Sequence, residues 1–174
     1  MLRHEPHHLE DELCFAIYIA QKNYNKFYSE ALKEFKLTYS QYITLLVMWE
    51  EHRPMMIKEL GERLQLDTGT LTPLLKRLQY SGWITRTRSG IDGRRVYLEL
   101  TDKAKKEEKK VKKAVEDSFG SIDMDPSEYQ ESVATLKDIS KKLSRLNQQL
   151  IENDESHLRY ADRIRKSKEL EAEN

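Results

Sequence analysis

The spacing of apolar residues predicts a mainly helical chain. In the first segment they recur at steps of four, three and four residues, with no glycine or proline between them: Leu13, Ile17, Ala20 and Tyr24. This period belongs to one face of an α-helix, so we predict a long first helix over residues 9–35.

A capping pattern marks the start of the second helix. Thr38 precedes a long apolar run, residues 42–49, and Gln41 follows Thr38 by three residues. A threonine and a glutamine at this spacing can each bond the backbone N–H of the other, as in a capping box. We therefore predict a second helix that opens at Thr38 and is largely buried.

Two shorter helices are predicted between residues 57 and 81. The first is marked by apolar residues at helical spacing: Ile57, Leu60, Leu64 and Leu66. The second ends at Gly82, a residue type favoured just after a helix, and carries one apolar stripe: Leu71, Leu74, Leu75 and Leu78. Its start is open between two N-cap residues, because Pro73 lies near the start if Thr70 caps the helix and deeper inside if Asp67 does.

Beyond Gly82 the apolar period changes to two. Residues 83–88 and 95–100 alternate as strands do, and the segment 89–94 between them is rich in turn-forming residues. This order predicts a β-hairpin. A lysine-rich helix is predicted to follow over residues 101–119.

The last long helix is predicted from its cap and its leucine spacing. Asp125 is a cap residue, Pro126 suits the first helical position, and Glu128 suits the third. The apolar residues that follow are spaced as in a coiled-coil seam: Leu136, Ile139, Leu143, Leu146 and Leu150. The seam serves either packing within one subunit or a contact in a homodimer. We favour the homodimer, because the chain is polar, with 38% hydrophobic and 34% charged residues.

Composition argues against several classes of protein. The longest apolar run, residues 42–49, is far shorter than the ~20 residues that span a bilayer, and the acidic N-terminus lacks the apolar stretch of a signal peptide. A single cysteine excludes an internal disulfide and a cysteine-rich zinc site. No phosphate-binding loop, nucleophile motif or metal-binding helix motif is visible. We therefore expect a cytoplasmic protein that is not an enzyme, binds no metal or cofactor and contacts no membrane.

Charge is segregated along the chain, although the 30 basic and 30 acidic residues cancel. Between Lys58 and Arg95, eight basic residues stand against four acidic ones, and between Lys103 and Lys113 seven lysines stand against two glutamates. The chain is acidic at both ends. A basic middle between acidic ends predicts a local surface for a polyanion.

The order of elements and charges is that of a winged helix-turn-helix, whose second motif helix enters the DNA major groove. Threonines near the start of the fourth helix suit base edges or phosphates. Hairpin arginines are predicted to point outward from the strand (Arg86 and Arg88) or to lie at the tip. The predicted DNA-binding residues are Thr68, Thr70, Thr72, Lys76, Arg77, Arg86, Arg88, Arg94 and Arg95. Helix capping is the alternative role of the threonines, and an internal salt bridge is that of Arg86.

Several sequence blocks carry a family resemblance. The stretch from Ile84 to Arg94, followed by Leu100 and Thr101, resembles the wing signature of the MarR family of dimeric winged-helix repressors. The blocks at 13–18 (LCFAIY), 37–42 (LTYSQY) and 66–77 (LDTGTLTPLLKR) are most similar to the one-cysteine OhrR branch of organic hydroperoxide sensors.

The resemblance implies a fold that is mainly α with a small β-hairpin wing, in a MarR-like dimer. The implied organisation is an N-terminal dimerisation helix (1–36), a winged helix-turn-helix DNA-binding domain (37–101), C-terminal dimerisation helices (102–152) and a charged tail (153–174). The implied partners are a second copy of the chain and a palindromic operator in double-stranded DNA.

The resemblance also implies that Cys14 is a peroxide-reactive thiolate with Tyr18, Tyr28 and Tyr39 as hydrogen-bonding partners. Tyr18 is one helical turn from Cys14. Tyr28 lies about 21 Å further along a continuous helix, so it can reach only the cysteine of a second subunit, through antiparallel first helices. The alternative interpretation of Cys14 is a small buried apolar residue.

The chemistry implied for Cys14 is oxidation to a sulfenic acid, which condenses with a thiol. The chain has no second cysteine, so the resolving partner is a small-molecule thiol. The resulting hypothesis is a repressor that loses its operator when organic hydroperoxide oxidises Cys14. Two alternatives stay open: a broader oxidative-stress regulator of the SarZ or MgrA kind, and a ligand-responsive MarR repressor with an inert Cys14.

Overall fold

The structure is a computed structural model. It describes the backbone of residues 5–88 and 96–172 and the side chains of residues 5–87 and 96–152. The chain divides into two compact units, Met1–Ser121 and Ile122–Asn174. The helices and strands of the described residues are α1 (Leu13–Ala31), α2 (Tyr39–Glu51), β1 (Met55–Met56), α3 (Ile57–Leu64), α4 (Thr68–Tyr80), β2 (Ile84–Arg88), β3 (Val96–Leu100), α5 (Asp102–Phe119) and α6 (Pro126–Ala172).

The first helix is shorter than predicted. Its α-helical part covers Leu13–Ala31, and single 3-10 turns at Leu9–Asp11 and Lys33–Phe35 replace the predicted ends. The helix stops because Leu32 leaves the helical conformation and packs into the core with no exposed surface. Lys36 then takes a left-handed backbone conformation (φ 53°), which turns the chain into α2.

The capping box of α2 is confirmed. The backbone N–H of Thr38 donates to Oε1 of Gln41 at 2.9 Å, and the N–H of Gln41 donates to Oγ1 of Thr38 at 3.4 Å. The predicted burial is also confirmed, since Leu45, Met48 and Trp49 form part of the central core.

Asp67 is the N-cap of α4, which settles the alternative that the sequence left open. Its Oδ1 accepts the backbone N–H of Thr70 at 2.9 Å. Pro73 therefore lies inside the helix, where it has no N–H for the carbonyl of Gly69. The predicted stop at Gly82 is confirmed: α4 ends at Tyr80, and Gly82 adopts φ +74°, a conformation that glycine takes without steric cost.

The predicted hairpin is confirmed as an antiparallel pair, in which Ile84 lies opposite Leu100 and Arg86 lies opposite Leu98. The sequence did not predict β1, which pairs with the other side of β3 through Met55 and Leu98. The sheet therefore has three strands in the order β1-β3-β2. A two-residue strand is too short to show an alternating pattern, which is why β1 was missed.

The core of the first unit lies between α2, α4, the sheet and α5. Its largest fully buried side chains include Trp49, Leu75, Trp83 and Leu98. By contrast, α1 has no buried side chain, although it carries several apolar ones. The predicted fold class, mainly α with a small β-hairpin wing, is confirmed.

The second unit contains α6, whose predicted cap is confirmed. Oδ1 of Asp125 accepts the N–H groups of Ser127 at 2.7 Å and Glu128 at 3.0 Å, and Pro126 is the first helical residue. Four leucines of the predicted seam are 43–58% exposed: Leu136, Leu143, Leu146 and Leu150. No helix in the described part of the chain is long and apolar enough to cross a membrane.

Candidate nucleic-acid interface and cysteine site

Helix α4 presents a polar and basic face opposite its buried leucines. Its leucine side chains point into the core and are at most 8% exposed: Leu71, Leu74, Leu75 and Leu78. Thr68, Thr70, Lys76 and Arg77 are exposed, and Thr72 is half-buried. The structure thus brings five of the predicted DNA-binding residues onto one helix.

The first turn of α4 is held by its own side chains. The hydroxyl of Thr70 donates to Oδ2 of Asp67 at 2.8 Å, and the hydroxyl of Thr72 donates to the carbonyl of Thr68 at 2.7 Å. The capping residue is Asp67 rather than a threonine. Hydrogen bonds from the backbone N–H and hydroxyl of Thr70 hold the pKa of Asp67 below its ordinary value. The turn therefore carries a carboxylate at the positive end of the helix dipole.

The hairpin places Arg86 differently from the prediction. Arg86 is two residues after Ile84, so both side chains lie on the inner face of β2. Its Nε and Nη2 atoms are buried and have no hydrogen-bond partner among the described residues. The predicted outward orientation of Arg86 is wrong, and among the described side chains of this strand Thr85 and Thr87 are exposed.

The remaining wing arginines lie outside what the structure describes. Arg88 ends β2, but its side chain falls outside the described residues, as do Arg94 and Arg95 entirely. Their DNA-binding role stays a prediction.

An ion-pair network that the sequence did not predict joins α2 to α3. Arg63 on α3 contacts Glu50 at 2.7 Å and Glu51 at 2.5 Å, and Arg53 pairs with Glu51 at 3.0 Å and with Glu59. The hydrogen bond from Arg53 holds the pKa of the Glu59 carboxyl below its ordinary value. Arg63 lies 12 residues or more from its two partners on α2, so local patterns could not pair these charges.

Cys14 is exposed in the single chain, so it is not a buried residue of its own subunit's core. It is the second residue of α1, and three acidic residues precede it: Glu10, Asp11 and Glu12. Tyr18 lies one turn further on, is 57% exposed and stacks on Phe15 with ring centroids 6.2 Å apart. Among the described residues, no group of three or more His, Cys, Asp or Glu side chains could hold a metal ion.

Tyr28 and Tyr39 lie together, away from Cys14 of the same chain. Their ring centroids are 4.7 Å apart, and both belong to an aromatic cluster at the junction of α1, α2 and α5: Tyr24, Phe27, Tyr28, Tyr39, Tyr42 and Phe119. Burial raises the pKa of Tyr39, so its phenol stays protonated and can donate a hydrogen bond. The structure therefore packs Tyr28 against Tyr39 and places Tyr18 one helical turn after Cys14.

The three-helix motif, the exposed basic face of α4 and the hairpin define a winged-helix DNA-binding protein. The family described as "Transcriptional regulator SarA/Rot" matches residues 26–113, which is half of the chain, and so the chain belongs to the SarA/Rot family of MarR-like winged-helix transcriptional regulators.

Two curated relatives carry the same class of name. The regulator TtmR of Methylorubrum extorquens is 48% identical over 103 residues, which cover 59% of this chain and 52% of TtmR. The regulator MgrA of Staphylococcus aureus is 43% identical over 101 residues, which cover 58% of this chain and 68% of MgrA. The match thus spans about half the length of TtmR.

Solved structures agree with the fold. Reduced AbfR bound to DNA is 36% identical with a TM-score of 0.72, and the match covers 79% of this chain and 94% of AbfR. MarR is 26% identical with a TM-score of 0.58, covering 76% of this chain and 98% of MarR. AbfR, a protein of Staphylococcus epidermidis, has also been solved overoxidised on DNA and with a disulfide formed.

Proposed function

We propose that this protein is a homodimeric repressor that releases a palindromic operator when organic hydroperoxide oxidises Cys14. The observation that carries the redox part is the exposed thiol of Cys14, one turn before Tyr18 on a helix with no buried side chain. AbfR, which is 36% identical to this chain, has been solved in reduced, overoxidised and disulfide forms, and this supports a thiol-based switch here.

The dimer in this proposal is formed by residues 1–36 and 102–152, while residues 37–101 bind DNA and residues 153–174 form a charged tail. Two observations support it. Leu13 and Tyr18 on α1 are more than half exposed in a single chain, and the leucines of the α6 seam are also exposed. A second copy that covers this apolar surface removes it from water and thereby stabilises the dimer.

Tyr28 and Tyr39 of one copy act on the Cys14 thiol of the other copy. Tyr28 is 14 residues after Cys14 on α1, and at 1.5 Å per residue the two lie about 21 Å apart. If two α1 helices run antiparallel, the Tyr28–Tyr39 pair of one copy meets Cys14 of the other. Phenol donors would stabilise the thiolate against Glu10, Asp11 and Glu12.

The reaction has two balanced steps. The Cys14 thiolate attacks one oxygen of the hydroperoxide, an S–O bond forms, the O–O bond breaks and, with one proton, an alcohol leaves. The sulfenic acid then condenses with a small-molecule thiol to give a mixed disulfide and water. AbfR has been solved overoxidised and still bound to DNA, so we assign release to the disulfide step.

The test is binding to a promoter fragment from the protein's own locus, before and after cumene hydroperoxide with a small thiol. Wild type is expected to release DNA and to rebind after reductant, while Cys14→Ser stays bound. Oxidant-insensitive binding in both proteins would overturn the sensor. Induction of Cys14→Ser by a phenolic ligand would instead identify the ligand-responsive repressor with an inert Cys14.

The 43% identity to MgrA favours a second candidate, a regulator that responds to oxidants more broadly. Hydrogen peroxide separates the two, because an organic hydroperoxide sensor requires far more hydrogen peroxide than cumene hydroperoxide for half release. Equal sensitivity to both oxidants would establish the broader regulator. Consumption of about one peroxide per Cys14 would separate either regulator from a peroxidase, which turns over many.

A further inference from the structure

The end of α4 is bonded to the start of α5 through three consecutive backbone carbonyls. Lys103 Nζ donates to the carbonyl of Ser81 at 2.9 Å, the hydroxyl of Thr101 donates to the carbonyl of Gly82 at 2.7 Å, and the N–H of Thr101 donates to the carbonyl of Trp83 at 3.1 Å. We refer to these five residues, Ser81, Gly82, Trp83, Thr101 and Lys103, as the α4–α5 clasp.

The clasp is also fixed to the core by two tryptophans. The Lys103 ammonium lies 4.7 Å from the ring centroid of Trp83, which is 1% exposed. Trp83 packs edge-on against Trp49 at 6.5 Å, and Nε1 of Trp49 donates to the carbonyl of Ala104 at 3.1 Å. A cation over a buried indole is attracted by the ring, so a cation–π contact holds Lys103 in addition to its hydrogen bond to Ser81.

The far end of α5 contacts α1. The ring of Phe119 lies 5.2 Å from that of Phe27 and 6.2 Å from that of Tyr24. Helix α5 has 18 residues and is about 27 Å long, so one rigid element joins the helix that carries Cys14 to the end of the basic helix α4.

We propose that Lys103 and Thr101 are positioning residues, which set the orientation of α4 and pass a displacement of α1 to it through α5. Lys103 acts on DNA affinity through the Ser81 carbonyl and the Trp83 ring, and it does not contact a phosphate. The coupling to Cys14 rests on the proposed thiol switch, whereas the effect on affinity rests only on DNA binding by α4.

The test compares Lys103→Met, which keeps the aliphatic stem, with Lys103→Arg and with the control Lys106→Met. Lys106 is an exposed lysine on the same helix. Operator affinity of the full-length reduced protein is measured between about 50 and 200 mM salt, a range over which phosphate contacts dominate the salt dependence. Thermal unfolding of each variant confirms that it is folded.

Lys103→Met is expected to weaken operator binding about tenfold, within the usual range of coupling between sites. The slope of log affinity against log salt concentration, here called the salt slope, is expected to stay unchanged. Lys103→Arg is expected to bind the operator with about the wild-type affinity, and Lys106→Met is expected not to show the tenfold loss. A salt slope that falls by about 0.9 for each Lys103 replaced would show a direct phosphate contact and overturn the proposal. Unchanged affinity of Lys103→Met would overturn it as well.

The redox part is read from the ratio of oxidised to reduced dissociation constants. Lys103→Met is expected to bring this ratio closer to one than in wild type. An undiminished ratio would show that the signal does not pass through the clasp. A wild-type ratio of one would refute the thiol switch and the coupling together, and the affinity of the reduced variants would then decide positioning by itself. Thr101→Val, compared with Thr101→Ser, repeats the test through the other donor.

Discussion

Replacing Thr101 by valine removes one hydroxyl and keeps the branched shape of the side chain. That hydroxyl accepts one hydrogen bond and donates one that is shared between two carbonyls. Its oxygen accepts the backbone N–H of Ala104 at 3.1 Å, which caps α5, and its proton is donated to the carbonyl of Gly82 at 2.7 Å and, more weakly, to that of Trp83 at 3.3 Å.

Both bonds have known typical magnitudes. Loss of a threonine N-cap costs about 1 kcal/mol. Loss of a part-buried hydrogen bond to a carbonyl costs about 1 kcal/mol more. We therefore expect Thr101→Val to lower the free energy of unfolding by about 2 kcal/mol, or roughly 8 °C in Tm for a domain of this size.

The assay is urea unfolding at one fixed chain concentration, because the stability of a dimer depends on concentration. Thr101→Ser is the matched control, since serine caps helices as well as threonine and keeps both bonds. If Thr101→Val and Thr101→Ser unfold within about 0.5 kcal/mol of one another, the hydroxyl contributes nothing and the reasoning is wrong.

Three further predictions concern the binding and sensing surfaces. The pKa of Asp67 is lowered by its bonds from Thr70, so its contribution to stability is complete above the ordinary aspartate pKa and is lost as pH falls through the lower folded value. Asp67→Asn should therefore lose stability less steeply than wild type below about pH 4 in urea unfolding, and equal slopes would contradict this. Arg77→Ala should lower the salt slope of operator binding by about 0.9 for each phosphate that Arg77 binds. The control Glu116→Ala, which changes an exposed residue of α5, should leave the slope unchanged. An unchanged slope in Arg77→Ala would show that Arg77 does not contact a phosphate. Tyr28→Phe keeps the ring packed on Tyr39, so reduced operator binding should persist while cumene hydroperoxide releases DNA more slowly, and wild-type release kinetics would exclude the phenol from sensing.

Local patterns predicted most of the helices, because their causes lie within a few residues of each other. The capping box at Thr38, the cap at Asp125 and the stop at Gly82 all depend on side chains at most three residues away. Local patterns did not fix two other helix ends: the predicted end of α1 was wrong, and the start of α4 was left open. Burial of Leu32 ends α1, and Asp67 caps α4 in spite of Pro73.

The site was less predictable than the fold, because its contacts join distant parts of the chain. Lys103 meets Ser81 across 22 residues, and Arg63 meets Glu50 across 13. The inward orientation of Arg86 follows from Ile84 being its neighbour on the same face of β2, a choice of face that alternation alone does not fix.

The most direct measurement is a cumene hydroperoxide titration with a small thiol present, in which operator release and Cys14 oxidation are read on the same samples. Anisotropy of a labelled operator reports release, and intact-mass spectrometry reports the fraction of Cys14 in a mixed disulfide. We predict that the two curves superimpose, and that Cys14→Ser remains bound throughout. Release that is complete while Cys14 is still reduced, or complete conversion of Cys14 to the mixed disulfide with the operator still bound, would contradict the thiol switch.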